Sequence, residues 1–561
     1  MNAPYHAATQ LKDSYVATPT VYEQADTAFK NKQFETARKL LEQALEQQPK
    51  DETALIALAR TCAAARDTDA TIGYLQRLIQ VSSQPLTFID ELAKYCQAMG
   101  RIDEALTQYE TFLARHPDSV IATYNYAYFL SYGQRYEESL RAYQQALDLG
   151  IERPEEAHLN MANIYSRHLR DDARAQQHLE QAIILKPGYA GAHYNLGHLA
   201  EQRGKREEAQ KHFQRCLELN PRDSSAMARL ADACDFAQGN DELLKRVRRV
   251  AKSSADPDIH FAMGRALEQR GQHKDALDHL QYANELDRGN WPPYDKDTTK
   301  RLFDQIIKAF DSDWITEHAS ESGLAPVFIC GMFRSGSTLV EQILAAHKAF
   351  VPAGEREFFH RLVARQFPHY PYGVHALDRD SLPNWATQYE NESRRVFGDD
   401  IEGLRITDKR PDNFLYLGLI KAMFPKTKII VTRRDWRDVA WSIYATRLGR
   451  NQNYATVLAD TRHYIEQHDR LIAHWERLLG DDLHTVRYEQ LIAEPELTIG
   501  AMLAFLGEAF DENCLRFNEL ENTVRTASVW QVRQPLYSTS VGRWRPFEQL
   551  VPEVFGDDTG D

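Results

Sequence analysis

Gly331-Met332-Phe333-Arg334-Ser335-Gly336-Ser337-Thr338 stands between the apolar run Val327-Phe328-Ile329-Cys330 and the helical pattern Leu339 to His347. A strand, a glycine loop and a helix in that order build an anion site. Backbone N–H groups converge on the ligand there, and the helix dipole adds positive potential. Gly331 and Gly336 are five apart, as in the nucleotide-binding pattern G-x-x-x-x-G-K-[ST], but Ser337 replaces its lysine. That lysine reaches the β- and γ-phosphates of a nucleoside triphosphate. The chemistry indicated is phosphate binding with Arg334 as the cation inside the loop. About a hundred residues on, Lys428 to Thr432 reads as a strand and Arg433-Arg434-Asp435-Trp436-Arg437-Asp438-Val439-Ala440-Trp441-Ser442 follows it. A guanidinium fork at a strand end (Arg434) and a hydroxyl at a helix start (Ser442) suit a dianionic phosphate. The same segment also reads as a charged helix cap on the surface. Gly354-Glu355-Arg356-Glu357 reads either as a source of acid–base groups or as a solvated charged turn, and Lys409 has Asp408 and Asp412 close by in sequence as ion-pair partners.

The glycine loop resembles the 5′-phosphosulfate loop of sulfotransferases, which use 3′-phosphoadenosine 5′-phosphosulfate (PAPS). Their loop reads roughly P-[KR]-S-G-T-[TS]-L; Phe333 stands here where proline is usual, and Ser337 where threonine is usual. Arg434 and Ser442 match the family's 3′-phosphate signature, an Arg and a Ser eight apart (442 − 434 = 8). The closer resemblance is to the tyrosylprotein sulfotransferases and their bacterial relatives with tetratricopeptide repeats. Those read R-S-G-T-T-L and, about twenty residues later, G-E-E, where this chain has Gly354-Glu355-Arg356-Glu357. Thr407-Asp408-Lys409-Arg410-Pro411 is similar to the family's K-x-P segment with its catalytic lysine. Val486-Arg487-Tyr488-Glu489-Gln490-Leu491 is similar to its Y-E-Q-L strand near the nucleotide. Ser528…Gln531…Pro535…Ser540-Val541-Gly542-Arg543-Trp544 resembles the C-terminal segment whose serine and basic residue close over the cofactor. The resemblance implies Glu355 as general base, with Glu357 as the second candidate, and Lys409, Arg334 and Ser528 as the other catalytic residues. It implies PAPS bound by Arg334, Ser335, Gly336, Ser337, Thr338, Arg434, Ser442, Tyr488, Ser528 and Arg543, leaving adenosine 3′,5′-bisphosphate. It implies a hydroxyl as acceptor, and leaves open whether that is on a peptide tyrosine, a saccharide or a small alcohol or phenol.

The elements before the loop repeat. Pro49, Pro117, Pro187 and Pro221 close similar phrases, with 117 − 49 = 68, twice 34, and 221 − 187 = 34. Ala25, Ala59, Ala93 and Ala127 keep the same beat, as do Ala105 and Ser139; Gly197, Ala231 and Gly264 drift to 34 and then 33. This resembles the tetratricopeptide repeat, in which small residues lie where two helices cross and proline stops the second helix. About eight copies fit between residues 18 and 290, with Lys245 to Pro257 degenerate. The resemblance implies a groove for a peptide or partner protein. Tyr124, Tyr126, Tyr128 and Tyr132 are candidates to line it, or to lie in the core.

The expected fold class is α plus α/β: an N-terminal all-α tetratricopeptide solenoid, then a P-loop-like α/β sulfotransferase domain with a parallel sheet. The expected organisation is an N-terminal tail (1–17), the repeat array (18–290), a linker and connecting helix (291–325), the sulfotransferase domain (326–545) and a C-terminal tail (546–561). On this division every nominated residue lies after Ala325, and a fragment from about Trp291 should keep PAPS binding.

Lys plus Arg number 67 and Asp plus Glu 81, a net charge of −14, which disfavours a general nucleic-acid or anionic-membrane surface. Six scattered cysteines without a C-x-x-C pair fit a reducing compartment. No apolar run reaches the ~20 residues of a membrane span, and the N-terminus lacks a signal peptide's apolar core. A cytoplasmic protein is expected. The histidines, His463, His468 and His474 included, show no metal-ligand spacing, and no metal is expected. Two other functions fit parts of the pattern: a tetratricopeptide scaffold whose nucleotide-binding domain is inactive, and a P-loop kinase, which Ser337 disfavours.

Overall fold

The structure, a computed structural model, describes residues 20–398 and 403–556; the expected tail 1–17 lies outside them. The chain forms two compact units, residues 1–186 and 187–561. Five helix pairs occupy the first, from Val21 to Leu185, and three more open the second, from Ala190 to Asn290. Helices Phe34–Gln47, Ile102–Arg115, Asp172–Leu185 and Arg206–Leu219 each end two residues before one of the periodic prolines. The residue preceding a proline is pushed out of helical backbone, so the phrase-ending prolines set these boundaries. Ala25, Ala59, Ala93 and Ala127 are all buried at helix crossings. Gly264 shows how tight a crossing is: a Cβ there would stand 2.6 Å from Leu280 Cγ. In the first unit Tyr124 and Tyr126 pack against the core, whereas Tyr128 and Tyr132 are 38% and 53% exposed.

The second unit contains a five-stranded parallel sheet in the order β2-β3-β1-β4-β5. The strands are β1 (Val327–Gly331), β2 (Phe350–Pro352), β3 (Arg405–Lys409), β4 (Lys428–Arg433) and β5 (Leu483–Arg487). Successive strand side chains point to opposite faces, and both faces are covered. Phe328, Cys330, Ile429 and Val431 join a core with Phe303, Phe310 and Trp475. Val327, Ile329 and Ile430 join another with Leu339, Val340 and Ile343. β1 is central, with β3 on one side and β4 on the other, so the chain reverses direction of growth at β1. In such sheets ligands bind beyond the carboxyl ends of the strands at that switch point.

Three expectations need correction. Residues 291–325 hold two helices, Lys296–Ala309 and Ser312–Glu317, whose Phe303, Ile306 and Trp314 are buried in the sheet domain's core, so the segment is part of the domain rather than a connector. The expected C-terminal tail is folded as far as it is described: Phe547, Val551, Val554 and Phe555 pack beside Trp441. Tyr488–Ala493 is a helix, and the strand ends before it at Arg487. Tyr488 and Leu491, three apart, share one buried face, which a strand's alternation would have separated.

Candidate functional site

The parallel register brings the ends of all five strands to one edge. Ile329 is level with Lys409, and Gly331 with Thr432. The loop after β1 turns on two left-handed residues, Arg334 (φ 69°) and Gly336 (φ 104°). Glycine is required at 336, because a Cβ there would meet Tyr488 Cδ2 at 2.9 Å as well as straining the backbone. Gly336 caps the helix Ser337–Ala345 without a side-chain bond, so the first N–H groups of that helix have no side-chain cap.

One pocket gathers most of the nominated cofactor residues. Gly336, Ser337 and Thr338 come from the helix start, Arg434 and Ser442 from the β4 end and the helix Trp436–Tyr444, and Tyr488 from beyond β5. Ser528 and Arg543 come from the C-terminal segment, and Arg334 reaches across. Its Nε donates to Ser442 Oγ at 3.0 Å, Nη2 to Gln531 Oε1 at 2.8 Å, and Nη1 to Ser528 Oγ. Burial, then the neighbouring Arg543 and Arg434 guanidiniums, bring Arg334 down to about 10. Three cations thus crowd a pocket of about 70 Å³, whose lining residues Arg334, Gln531, Ser540 and Arg543 also line a cavity of about 1000 Å³. Arg434 lies over the Tyr488 ring at 4.7 Å, donates from Nη1 to the Arg334 carbonyl at 3.2 Å and from Nη2 to the Ser540 carbonyl, and leaves its buried Nε without a partner.

Ser335 does not face this pocket. Its hydroxyl donates to the Met332 carbonyl at 2.6 Å and pairs with the Thr432 hydroxyl at 2.6 Å, and its N–H donates to the same carbonyl. Its part is to brace the loop. Ser442 is also placed differently from expectation: it is the seventh residue of its helix, not the first. The helix start is capped by Asp435, whose carboxylate accepts the Arg437 N–H at 2.8 Å. A phosphate would therefore meet the Ser442 hydroxyl rather than that helix's N-terminus.

Glu355 and Lys409 do not line this pocket; they form a pair at the ends of β2 and β3. Lys409 Nζ, with a fully buried side chain, donates to Glu355 Oε1 at 2.6 Å. Glu355 is one-third exposed, and its Oε2 has no partner among the described residues. Lys409 pairs with neither Asp408 nor Asp412; Asp412 binds Arg410 at 2.7 Å, and the exposed Glu357 faces Arg410 at 3.7 Å. The turn carrying Glu355 is held from behind by Glu341. Gly354 donates its N–H to Glu341 Oε1 at 2.8 Å and accepts the Lys409 N–H at 3.1 Å. Burial raises the Glu341 carboxyl to about 7 against the pull of Lys409.

Four contributing residues escaped the sequence reading. Gln531 and Asp438 lay inside quoted motifs, and Glu341 stood as an acid within an apolar helical pattern. Asp438 accepts the Gly542 and Trp544 N–H groups at 2.7 and 3.2 Å, fixing the turn that carries Arg543. The fourth, Glu268, lies in the repeats and binds Arg543 across 275 residues of sequence. The repeats of this unit are therefore not separate from the pocket, contrary to the expectation for a fragment from Trp291. Among the described residues no three His, Cys, Asp or Glu side chains are grouped to hold a metal ion, and no helix is long and apolar enough to cross a membrane.

Comparison with known proteins gives matches to both parts of the chain. Residues 326–512 match the sulfotransferase family, and residues 28–83, 91–154 and 190–223 match tetratricopeptide repeats. An uncharacterized protein of Aquifex aeolicus (strain VF5) is 30% identical over 403 residues, covering 67% of this chain and 52% of that protein. The chain thus spans about half the length of this curated relative. Among solved structures, the sulfotransferase domain of the Synechococcus PCC 7002 olefin synthase is 20% identical, covering 43% of this chain and 99% of that one, with a TM-score of 0.31. A tetratricopeptide repeat protein from Parabacteroides merdae ATCC 43184 is 17% identical, covering 42% of this chain and 93% of that one, with a TM-score of 0.32.

Proposed function

Because the chain carries a sulfotransferase-family domain behind tetratricopeptide repeats, we propose that it moves a sulfuryl group from PAPS to an acceptor hydroxyl. The observation that carries this reading is the convergence of Arg334, Arg434 and Arg543 with the Ser442 and Ser528 hydroxyls on one pocket at a helix N-terminus. A site so cationic, with a buried guanidinium N–H of Arg434 unpartnered, suits a ligand with phosphate at both ends. The residues fit PAPS in kind. Arg434 and Ser442 hold the 3′-phosphate, the loop and first N–H groups of the helix Ser337–Ala345 hold the 5′ end, and Tyr488 supplies an aromatic wall.

PAPS supplies an activated sulfuryl group. The chain's own residues orient the partners and manage the proton. Glu355 Oε2 takes the acceptor's proton while Lys409 keeps the carboxylate in place. Arg334, which lines the pocket, is bonded to Ser442 and Ser528, and on this reading it releases them when the donor binds. Freed, its guanidinium joins Lys409 as a donor to charge developing on the transferred oxygens. The repeats present the acceptor, a hydroxyl on a peptide or protein, a saccharide or a small alcohol. The location that fits is cytoplasmic.

The test is transfer of radiolabelled sulfate from PAPS into acceptors of a host lysate, comparing the full chain with Glu355→Gln. Loss of a general base lowers rate by about 10²–10⁴. We expect label transfer by the wild type and a drop of that size in the variant, with affinity for adenosine 3′,5′-bisphosphate retained. A Glu355→Gln chain as fast as the wild type would remove Glu355 from the chemistry.

A further inference from the structure

The first helices of the last three repeats face the segment 524–543. Helices Ala190–Gln202, Ser224–Asp232 and Pro257–Gln269 line the larger cavity together with residues 524–543. Val524 donates its N–H to the Gln202 carbonyl at 2.8 Å, and Trp530 donates its indole N–H to Glu201 at 3.2 Å. Arg206 lies over the Trp530 ring at 4.9 Å. The segment bearing Ser528, Gln531 and Arg543 is thus seated on the repeats.

We propose that Glu268, on the repeat helix Pro257–Gln269, is a positioning residue of the donor site: it sets the Arg543 guanidinium for the 3′-phosphate and ties it to the helix that carries Ser442. This rests on the sulfotransferase reading above. Glu268 accepts from Arg543 Nε at 2.6 Å and from Nη2 at 2.7 Å, the two-pronged geometry that fixes a guanidinium's plane. Arg543 Nη1 is then the remaining nitrogen of the fork, with no partner among the described residues, in a side chain that lines the donor pocket. Glu268 Oε1 also accepts the Trp441 indole N–H at 3.2 Å, and Trp441 directly precedes Ser442. With 11% of its side chain exposed, Glu268 is well shielded from water, where such pairs hold their geometry. Asp438 fixes the backbone around Arg543 from the other side, so both ends of this arginine are held. A carboxylate so near an anion site repels phosphate at long range, yet both its oxygens are engaged by Arg543. The orientation gained outweighs that repulsion, because a charge-assisted bond to phosphate depends on the donor's direction.

The experiment titrates the full chain and its Glu268→Ala and Glu268→Gln variants with adenosine 3′,5′-bisphosphate and with adenosine 5′-phosphate, alongside thermal melts. We expect Glu268→Ala to weaken the bisphosphate about tenfold or more and the monophosphate less than about twofold. Glu268→Gln keeps one acceptor oxygen and should fall between wild type and Ala. In turnover assays KM for PAPS should rise while kcat at saturating donor changes little. If Glu268→Ala is poorly folded, the isosteric Gln variant carries the comparison. Equal weakening of both ligands, or wild-type affinity in both variants, would overturn the inference. A wild-type chain that binds neither ligand would instead overturn the sulfotransferase reading, and this inference with it.

Discussion

Glu341 sits four residues beyond Ser337 in the helix that leaves the phosphate loop, and the turn bearing Glu355 leans on it. Its carboxyl is 3% exposed and raised from an ordinary 4.5 to about 7, chiefly by burial, with Asp408 and Glu355 adding to the shift and Lys409 and the Gly354 N–H opposing it. Between those values the folded chain holds a proton that the unfolded chain has released. Stability contributed by this group is therefore full below about 4.5 and is lost as pH rises towards about 7. Glu341→Gln keeps an oxygen for the Gly354 N–H and removes the titration. We expect the variant's Tm, relative to wild type, to improve steadily from about pH 5 to about pH 8. A difference that stays flat across that range would show that folding does not raise the Glu341 carboxyl above its ordinary value.

The loop, the helix behind it and the helix after β5 form one assembly whose contacts are close. Gly336→Ala would push a methyl against the Tyr488 ring and force a left-handed backbone on alanine. Overpacking and strain of this kind cost about 1–3 kcal/mol, so we expect a lower Tm together with weaker bisphosphate binding. An unchanged Tm with unchanged affinity would show that loop and helix have room to part. This element was largely legible in the sequence, because strand, loop and helix are contiguous and glycine spacing reports backbone shape. The repeat helices were legible for a similar reason: proline and small residues mark boundaries and crossings locally. The Ser442 placement was not, since Asp435, an acid beside Arg434, turned out to be the helix cap. Nor was the Tyr488 helix, whose short apolar pattern fits a strand as easily. Glu268 left no trace at all, because its role depends on a contact 275 residues away.

At the scale of the whole second unit, repeats and sheet domain share a core. Phe261, Leu277, Leu280 and Ala283 from the repeats pack with Val439, Trp441, Tyr444 and Phe547. Asn284 donates to the Tyr444 carbonyl at 3.0 Å, and Arg447 reaches Asp287 at 2.8 Å and Asp258 at 3.1 Å. Each large side chain uncovered costs about 1.5–3 kcal/mol, against a total stability of about 5–15 kcal/mol for a typical domain. A fragment from Trp291 onward should therefore fold poorly and bind no bisphosphate, whereas one from Pro187 onward should keep the unit and the binding. A well-folded, fully binding Trp291 fragment would refute the shared core.

The most direct measurement of the proposed function is calorimetric titration of the full chain with adenosine 3′,5′-bisphosphate, adenosine 5′-phosphate and ATP. If Arg434 and Ser442 hold a 3′-phosphate, the bisphosphate will bind about ten- to a hundredfold tighter than the 5′-phosphate, and Arg434→Ala will narrow that margin. Equal affinity for the two adenosine phosphates, or a preference for ATP, would contradict it.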